Sequence, residues 1–141
     1  MNLKIDYLQD ICSIREYLFS LRRAPNKDAS IFEGIRFNKF LVEVAAGSSA
    51  LSSPGLDYDN LSKYDTVQIF LYDEPGLEKV PIPIAPYSDP RFNQFSWSKY
   101  FTQENWTKKL TASYQASFVP IYDVFKIIKD IYKVSRFSIF T

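Results

Sequence analysis

Apolar residues near the start of the chain recur with the spacing of an amphipathic helix. They follow one another at intervals of four, three, four and three positions: Tyr7, Ile11, Ile14, Leu18 and Leu21. This spacing places them along one side of a helix, where they can face a core. Asp6 suits the N-cap position, and Pro25 disfavours helical backbone at the residue before it. The pattern therefore predicts a helix over residues 7–23.

Residues 31–46 favour two short strands. In the second strand the apolar positions alternate with residues that face the other way: Phe40, Val42 and Val44. Ile31, Ile35 and Phe37 indicate an earlier strand, which would pair with it through the region of Asn38 and Lys39. A helix is the alternative over this stretch, but Gly34 and the β-branched residues weaken it.

The middle of the chain predicts a loop and then a hairpin. The stretch 45–56 is rich in Ser and Gly and is typical of a loop. Strict alternation of apolar positions predicts a strand over 66–73. A β-turn signal at 73–76 leads to a second strand at 79–84. Because Pro81 and Pro83 cannot donate hydrogen bonds, that second strand is predicted at an edge or in a polyproline-like conformation.

The last third of the chain predicts two further helices. Ser98 suits the cap of a helix over roughly 99–110, and Pro120 suits the first turn of a helix over 120–134. The final helix has a broad apolar face: Ile121, Val124, Phe125, Ile128, Ile131 and Tyr132. The apolar tail 136–140 suggests a last strand. Together the elements predict one α+β domain over residues 1–141, with a small, mostly antiparallel sheet packed against about three helices.

The composition excludes several kinds of catalytic and metal-binding site. The 141 residues contain no histidine and one cysteine, Cys12. Histidine is the usual general base near neutral pH and the commonest metal ligand, so triads, zinc fingers and carbonic-anhydrase-type zinc sites are excluded. We expect no cofactor, no metal site and no enzymatic activity, although carboxylate or Ser-Lys chemistry stays open.

Charge and hydropathy set expectations about partners and location. The formal net charge is +1, so no global basic field attracts nucleic acid or a membrane surface. No run of the sequence approaches the ~18 apolar residues that span a bilayer, and the first residues carry no apolar signal stretch. A single cysteine suits a reducing compartment. We therefore expect a cytoplasmic protein with no membrane partner.

Aromatic residues, 17% of the chain, concentrate in one segment and provide the first candidate contact surface. The predicted protein interface consists of one cation and four rings: Arg91, Phe92, Phe95, Trp97 and Trp106. Trp, Tyr and Arg dominate the energetics of protein interfaces, and rings interleaved with cations also suit single-stranded nucleic acid. The alternative is that these rings attach the segment to the core.

Cations along the predicted final helix provide the second candidate surface. They are spaced three, four and three positions apart, so they share one face: Lys126, Lys129, Lys133 and Arg136. Such a face can contact an anion or nucleic acid. The alternative is a solvated helix face whose cations lie near the C-terminus, where the helix dipole favours them.

The sequence thus predicts a non-enzymatic protein-interaction module, such as an inhibitor, an adaptor or a subunit of a larger assembly. The expected partner is another protein or a second copy of the chain. The alternative is a nucleic-acid-binding module that uses the basic face of the final helix and the nearby rings. That alternative is less favoured, because strong nucleic-acid binders usually show an overall basic balance.

Overall fold

A computed structural model of the protein describes residues 11–24, 30–37, 40–73, 91–103 and 112–138. Seven helices and strands follow one another: α1 (Ile11–Ser20), β1 (Ile35–Phe37), β2 (Phe40–Ala45), β3 (Thr66–Asp73), β4 (Phe101–Gln103), β5 (Ala112–Pro120) and α2 (Ile121–Ser138). A 3-10 helix at Ser96–Tyr100, hereafter the short helix, leads directly into β4.

The five strands form one antiparallel sheet in the order β1-β2-β3-β5-β4. Its register aligns buried residues across four strands. Val44 pairs with Ile69, and Ile69 pairs with Ala116. Ala116 pairs in turn with Phe101. Side chains in one such row lie on the same face of the sheet, and all four are buried. This face of the sheet therefore supplies one side of the core.

Both α-helices contribute to the same core. α2 contacts α1, β1 and β5, and its buried residues recur at helical spacing: Val124, Phe125, Ile127, Ile128, Ile131 and Tyr132. The ring of Phe19 on α1 meets that of Phe125 edge-on, with centroids 5.7 Å apart. One hydrophobic cluster joins the described elements. An α+β fold with an antiparallel sheet is therefore confirmed.

Several predicted strands and the loop lie where the pattern placed them. β3 has the predicted bounds, and β2 carries the alternating residues of the second predicted strand. β1 pairs with β2, as expected, with Phe37 opposite Phe40; residues 38–39 lie outside the described residues. The stretch from Ala46 to Asn60 contains no helix or strand. Local alternation was sufficient here because the alternating apolar side chains of β2 and β3 are all buried.

The predicted number of helices is wrong, because the described residues contain two α-helices rather than about three. Ser98 lies inside the short helix, and Phe101–Gln103 of the predicted helix 99–110 forms β4; residues 104–110 lie outside the described residues. β4 pairs with β5, with Phe101 opposite Ala116. Pairing with β5 overrides the weak local preference for helix.

The hairpin predicted between 66–73 and 79–84 is also wrong. β3 has β2 along one side and β5 along the other, so it has no free edge for another strand; residues 79–84 themselves lie outside the described residues. The sequence did not predict β5 at all. The alternation of β5 breaks at a bulge, where its register against β3 shifts between Val67 and Ile69. In this part of β5, Phe118 has a φ of 51°.

The helix ends differ from the predicted ones by a few residues. α1 ends at Ser20, and the backbone beyond it forms an antiparallel bridge between Arg23 and Phe32. At the other end of the predicted helix, residues 7–10 lie outside the described residues. α2 starts after Pro120, which closes β5. It continues to Ser138, so the last strand suggested for 136–140 is wrong over 136–138.

Candidate anion-binding groove

The antiparallel pairing of β4 with β5 brings the short helix beside α2. The short helix runs directly into β4, whose first residue Phe101 pairs with Ala116 near the end of β5. α2 leaves β5 at Ile121. Because the start of one antiparallel strand lies near the end of its partner, the short helix and the first turns of α2 meet at the same end of the sheet.

Two hydrogen bonds join the short helix to α2. The Tyr100 hydroxyl donates to Asp123 Oδ2 at 2.8 Å, and Trp97 Nε1 donates to Asp130 Oδ2 at 2.9 Å. The two aspartates are two helical turns apart, on one face of α2. The hydrogen bond that Tyr100 donates to Asp123 raises the pKa of the Tyr100 hydroxyl above its ordinary value, with a smaller contribution from burial.

A groove of two adjoining cavities runs along this junction. The first, about 310 Å³, is lined by the following residues: Ser96, Trp97, Lys99, Tyr100, Asp123 and Lys126. The second, about 430 Å³, is lined by these residues: Gln94, Phe95, Ser96, Trp97, Lys126, Lys129, Asp130 and Lys133. Ser96, Trp97 and Lys126 line both cavities. We call the continuous feature the lysine groove.

The lysine groove carries an excess of positive charge. It contains four lysines against two aspartates, and each aspartate accepts a hydrogen bond from the short helix. Within the described part of the chain, none of the four lysines makes an ion pair. Cations held close together in a concave surface focus a positive potential there. The groove is therefore suited to an anionic ligand.

The lysines of the predicted basic face lie in this groove. Lys126 and Lys133 are exposed, and Lys129 is half-buried. Arg136 belongs to the backbone of α2, but its side chain lies outside the described part of the structure. Lys99 joins the set from the short helix. The basic face is thus one wall of a groove, which the sequence pattern of α2 alone could not indicate.

The structure places two rings of the predicted protein interface in the core. Phe92 is 2% exposed and Trp97 is 5% exposed. Phe92 meets Phe40 edge-on at 5.4 Å, and Trp97 meets Phe101 edge-on at 5.8 Å. These rings attach the segment to the sheet and leave little surface for a partner. A contact with a partner through these two rings stays a prediction.

The other members of the predicted interface have different surroundings. Arg91 lies over the rings of Phe40 and Phe92, 5.3 and 5.5 Å from their centroids. Phe95 is half-buried and stacks on Trp97, with centroids 5.4 Å apart and an interplanar angle of 7°. Trp106 lies outside the described residues. Phe95 is thus the half-buried ring of this set in the groove, beside the buried Trp97.

The sequence did not assign roles to the two aspartates. The structure shows Asp123 and Asp130 as acceptors for Tyr100 and Trp97. Their seven-residue spacing on a basic helix was the available signal. The identity of their donors depends on strand pairing, which the sequence pattern did not provide.

A second surface feature lies at the bulge in β5. Phe118 is 51% exposed and Leu51 is 44% exposed, and Phe118 N–H donates to the Leu51 carbonyl at 3.0 Å. A positive φ is unusual for a bulky residue, and Phe118 has a φ of 51°. The bulge therefore directs an aromatic ring toward solvent beside another exposed apolar side chain.

Searches for metal sites, membrane spans and similar proteins gave no positive result. Within the described ranges, acidic and cysteine side chains form no group of three that could hold a metal ion. None of the described helices has the length and apolar content needed to cross a bilayer. Comparison with protein-family models, curated proteins and solved structures found no match. The function must therefore be argued from the geometry of the chain itself.

Proposed function

We propose that this chain is a non-enzymatic binding module that contacts nucleic acid through the lysine groove. The observation that supports this proposal is the convergence of four lysines, from two separate elements, on one concave surface. The carboxylates within the groove already accept hydrogen bonds from Trp97 and Tyr100. These carboxylates keep their negative charge, but the four lysines outnumber them, so a polyanion meets a net positive charge there.

The side chains that line the groove favour nucleic acid over an acidic protein. Lysine is depleted in protein interfaces, where aromatic residues and arginine are enriched. Contacts to phosphate and sugar commonly come from Lys, Ser, Gln and Tyr, and the groove presents Gln94, Ser96 and Tyr100 beside its lysines. The burial of Phe92 and Trp97 removes the main apolar anchors from the alternative surface.

Removal of three groove lysines should weaken binding and flatten its salt dependence. The variant is Lys126→Gln/Lys129→Gln/Lys133→Gln, and the probe is a fluorescein-labelled, mixed-sequence oligonucleotide followed by anisotropy at several salt concentrations. Loss of three phosphate contacts to a single strand should reduce the slope of log affinity against log salt by about 2. Circular dichroism and thermal unfolding check that the variant remains folded.

A charge-matched control separates the groove from the overall charge of the molecule. Arg15→Gln/Arg22→Gln/Lys63→Gln removes three exposed cations outside the groove and should leave the slope near that of the wild type. Equal loss in both variants would contradict the proposal, as would absence of binding to the oligonucleotide. Stronger binding to a poly-glutamate peptide at the same ionic strength would assign the groove to an acidic protein instead.

A protein partner is the second candidate function, favoured by the exposed ring of Phe118. Phe118→Gly removes the ring and also suits the positive φ of 51°, so this variant should fold at least as well as the wild type. The measurement is affinity capture of both proteins from nuclease-treated lysate of the native source. A stoichiometric protein partner that the variant loses would support this candidate, and retention of the partner would contradict it.

A further inference from the structure

We infer that the lysine groove takes a single strand of nucleic acid, with unpaired bases stacked on Phe95 and Tyr100 and the intervening phosphate on Lys126. This inference rests on the proposed function and specifies its ligand. It is based on the positions of aromatic rings in the groove, which a purely electrostatic contact would not need. Each cavity of the groove contains one accessible aromatic ring, and a lysine shared by both cavities lies between them.

The ring of Phe95 is supported for stacking in the second cavity. It lies nearly parallel to Trp97 at 5.4 Å, and Trp97 is itself held by Asp130 through its indole N–H. Phe95 remains half-buried rather than fully covered. A ring fixed in orientation by a buried neighbour loses little further conformational entropy when a base stacks on it. The Phe95 ring is therefore pre-organised to stack with a base.

The ring of Tyr100 plays the corresponding role in the first cavity. It is 38% exposed, and its hydroxyl is fixed by Asp123 at 2.8 Å. Lys99 and Lys126 line the same cavity and can contact phosphates beside a stacked base. Successive bases stacked on aromatic rings, with the backbone held by cations, is the general mode of single-strand recognition.

The concave shape of the groove disfavours a duplex. A duplex keeps its bases paired and stacked internally, and proteins read it by inserting a helix or a two-stranded ribbon into its major groove. Here α2 is one wall of a cleft whose other wall is the short helix, so the short helix flanks the lysine face of α2 and hinders its insertion into a major groove. One strand with splayed bases can enter where a duplex cannot.

The inference is tested by comparing a single strand with its duplex. Anisotropy measures the affinity of a labelled, mixed-sequence single strand and of the same strand annealed to its complement. Phe95→Leu keeps an apolar side chain against Trp97 but removes the π-face, and Tyr100→Leu does the same in the first cavity. We expect the wild type to prefer the single strand, and each variant to bind it at least about fivefold more weakly.

Matched controls distinguish stacking from a general effect of losing a ring. Phe19 is also half-buried against the core, and Tyr122 is 73% exposed on α2, but neither lines the groove. Phe19→Leu and Tyr122→Leu should bind the single strand as the wild type does. Thermal unfolding of all four variants verifies that differences in binding do not reflect unfolding.

The possible outcomes separate this inference from the proposed function. Equal affinity for single strand and duplex, with no effect of Phe95→Leu or Tyr100→Leu, would overturn the inference and leave a nucleic-acid-binding groove. Loss of affinity in the control variants to the same extent would also overturn it. No binding of either probe by the wild type would overturn the proposed function as well.

Discussion

A single guanidinium organises the loop that follows β2. Arg23 Nη1 donates to the Ala46 carbonyl at 2.9 Å, and Nη2 donates to the Tyr58 carbonyl at 2.5 Å. The same guanidinium lies over Phe32, 4.6 Å from the ring centroid. Only arginine combines several fixed donors with a planar face that stacks on a ring. Arg23 thus connects the segment after α1 to a loop that contains no helix or strand.

Gly47, within this loop, should be intolerant of a side chain. Its φ is +138°, and a Cβ would lie 2.3 Å from Asp57 Oδ1, an atom that accepts a hydrogen bond from Ser48 N–H. We expect Gly47→Ala to lower the free energy of unfolding by about 1–3 kcal/mol. Urea denaturation followed by circular dichroism measures the change.

Gly55 offers a matched control in the same loop. A Cβ at Gly55 meets nothing within 4 Å, so Gly55→Ala should change stability by less than about 0.5 kcal/mol. Similar destabilisation by the two substitutions would show that the close approach to Asp57 is not the cause.

At the scale of elements, two hydrogen bonds between side chains hold the short helix against α2. α2 supplies Asp123 and Asp130 on one face, and the short helix supplies Tyr100 and Trp97. Buried apolar residues on the adjoining face of α2 fix its rotation against the sheet. That rotation places the lysines and the two acceptors along the groove.

Tyr100 should titrate above its ordinary pKa of 10.0, because its hydroxyl donates to the negatively charged Asp123. Asp123→Asn should lower this pKa toward the ordinary value. A pKa raised by folding means that the stabilisation from this hydrogen bond is present below the ordinary pKa and is lost as pH rises through the raised value. The difference in tyrosinate absorbance between each protein and its Tyr100→Phe variant isolates this titration.

Asp130→Asn is the control for this titration. It removes the other groove carboxylate but leaves the contact between Tyr100 and Asp123 intact. We expect it to leave the pKa of Tyr100 near that of the wild type. If the Tyr100 pKa changed equally in both variants, the hydrogen bond to Asp123 would not be its main cause.

Sequence pattern predicted the elements whose apolar residues recur with a regular period. β3 alternates without interruption, and β2 and α2 have similarly clear apolar faces. β5 was missed because its core-facing residues Tyr114 and Ala116 are followed by a bulge that changes the alternation. β4 was mistaken for helix because three residues are too few for either periodicity to show.

At the scale of the whole molecule, strand order determines which surfaces exist. β5 lies between β3 and β4. The faces of this part of the sheet therefore form only when β5 has paired with both strands. The short helix enters beside β5 only through its connection to β4. The lysine groove therefore depends on how the strands pair, and no single segment of the chain forms it alone.

Trp97 should be important for the stability of the whole fold. Its ring is 5% exposed and meets Phe92, Phe95 and Phe101. We expect Trp97→Ala to lower the free energy of unfolding by about 3–5 kcal/mol, because it leaves a large cavity. Chemical denaturation provides the measurement.

Tyr122→Ala controls for the loss of an aromatic residue. Tyr122 is 73% exposed, so its removal should change stability by less than about 0.5 kcal/mol. If Trp97→Ala were as stable as the wild type, Trp97 would not be part of the core, and its role as a predicted contact residue would have to be reconsidered.

The sequence by itself determined the α+β class, the bounds of β3, the apolar face of α2 and the alignment of Lys126, Lys129 and Lys133. These follow from local periodicity, since a side chain's direction depends on its position within its own element. Only the tertiary structure decided that Trp97 is buried, that Phe95 reaches the groove and that Tyr100 meets Asp123. Those outcomes depend on the pairing of β4 with β5, and the identity of a strand's partner leaves no periodic signal within the strand itself.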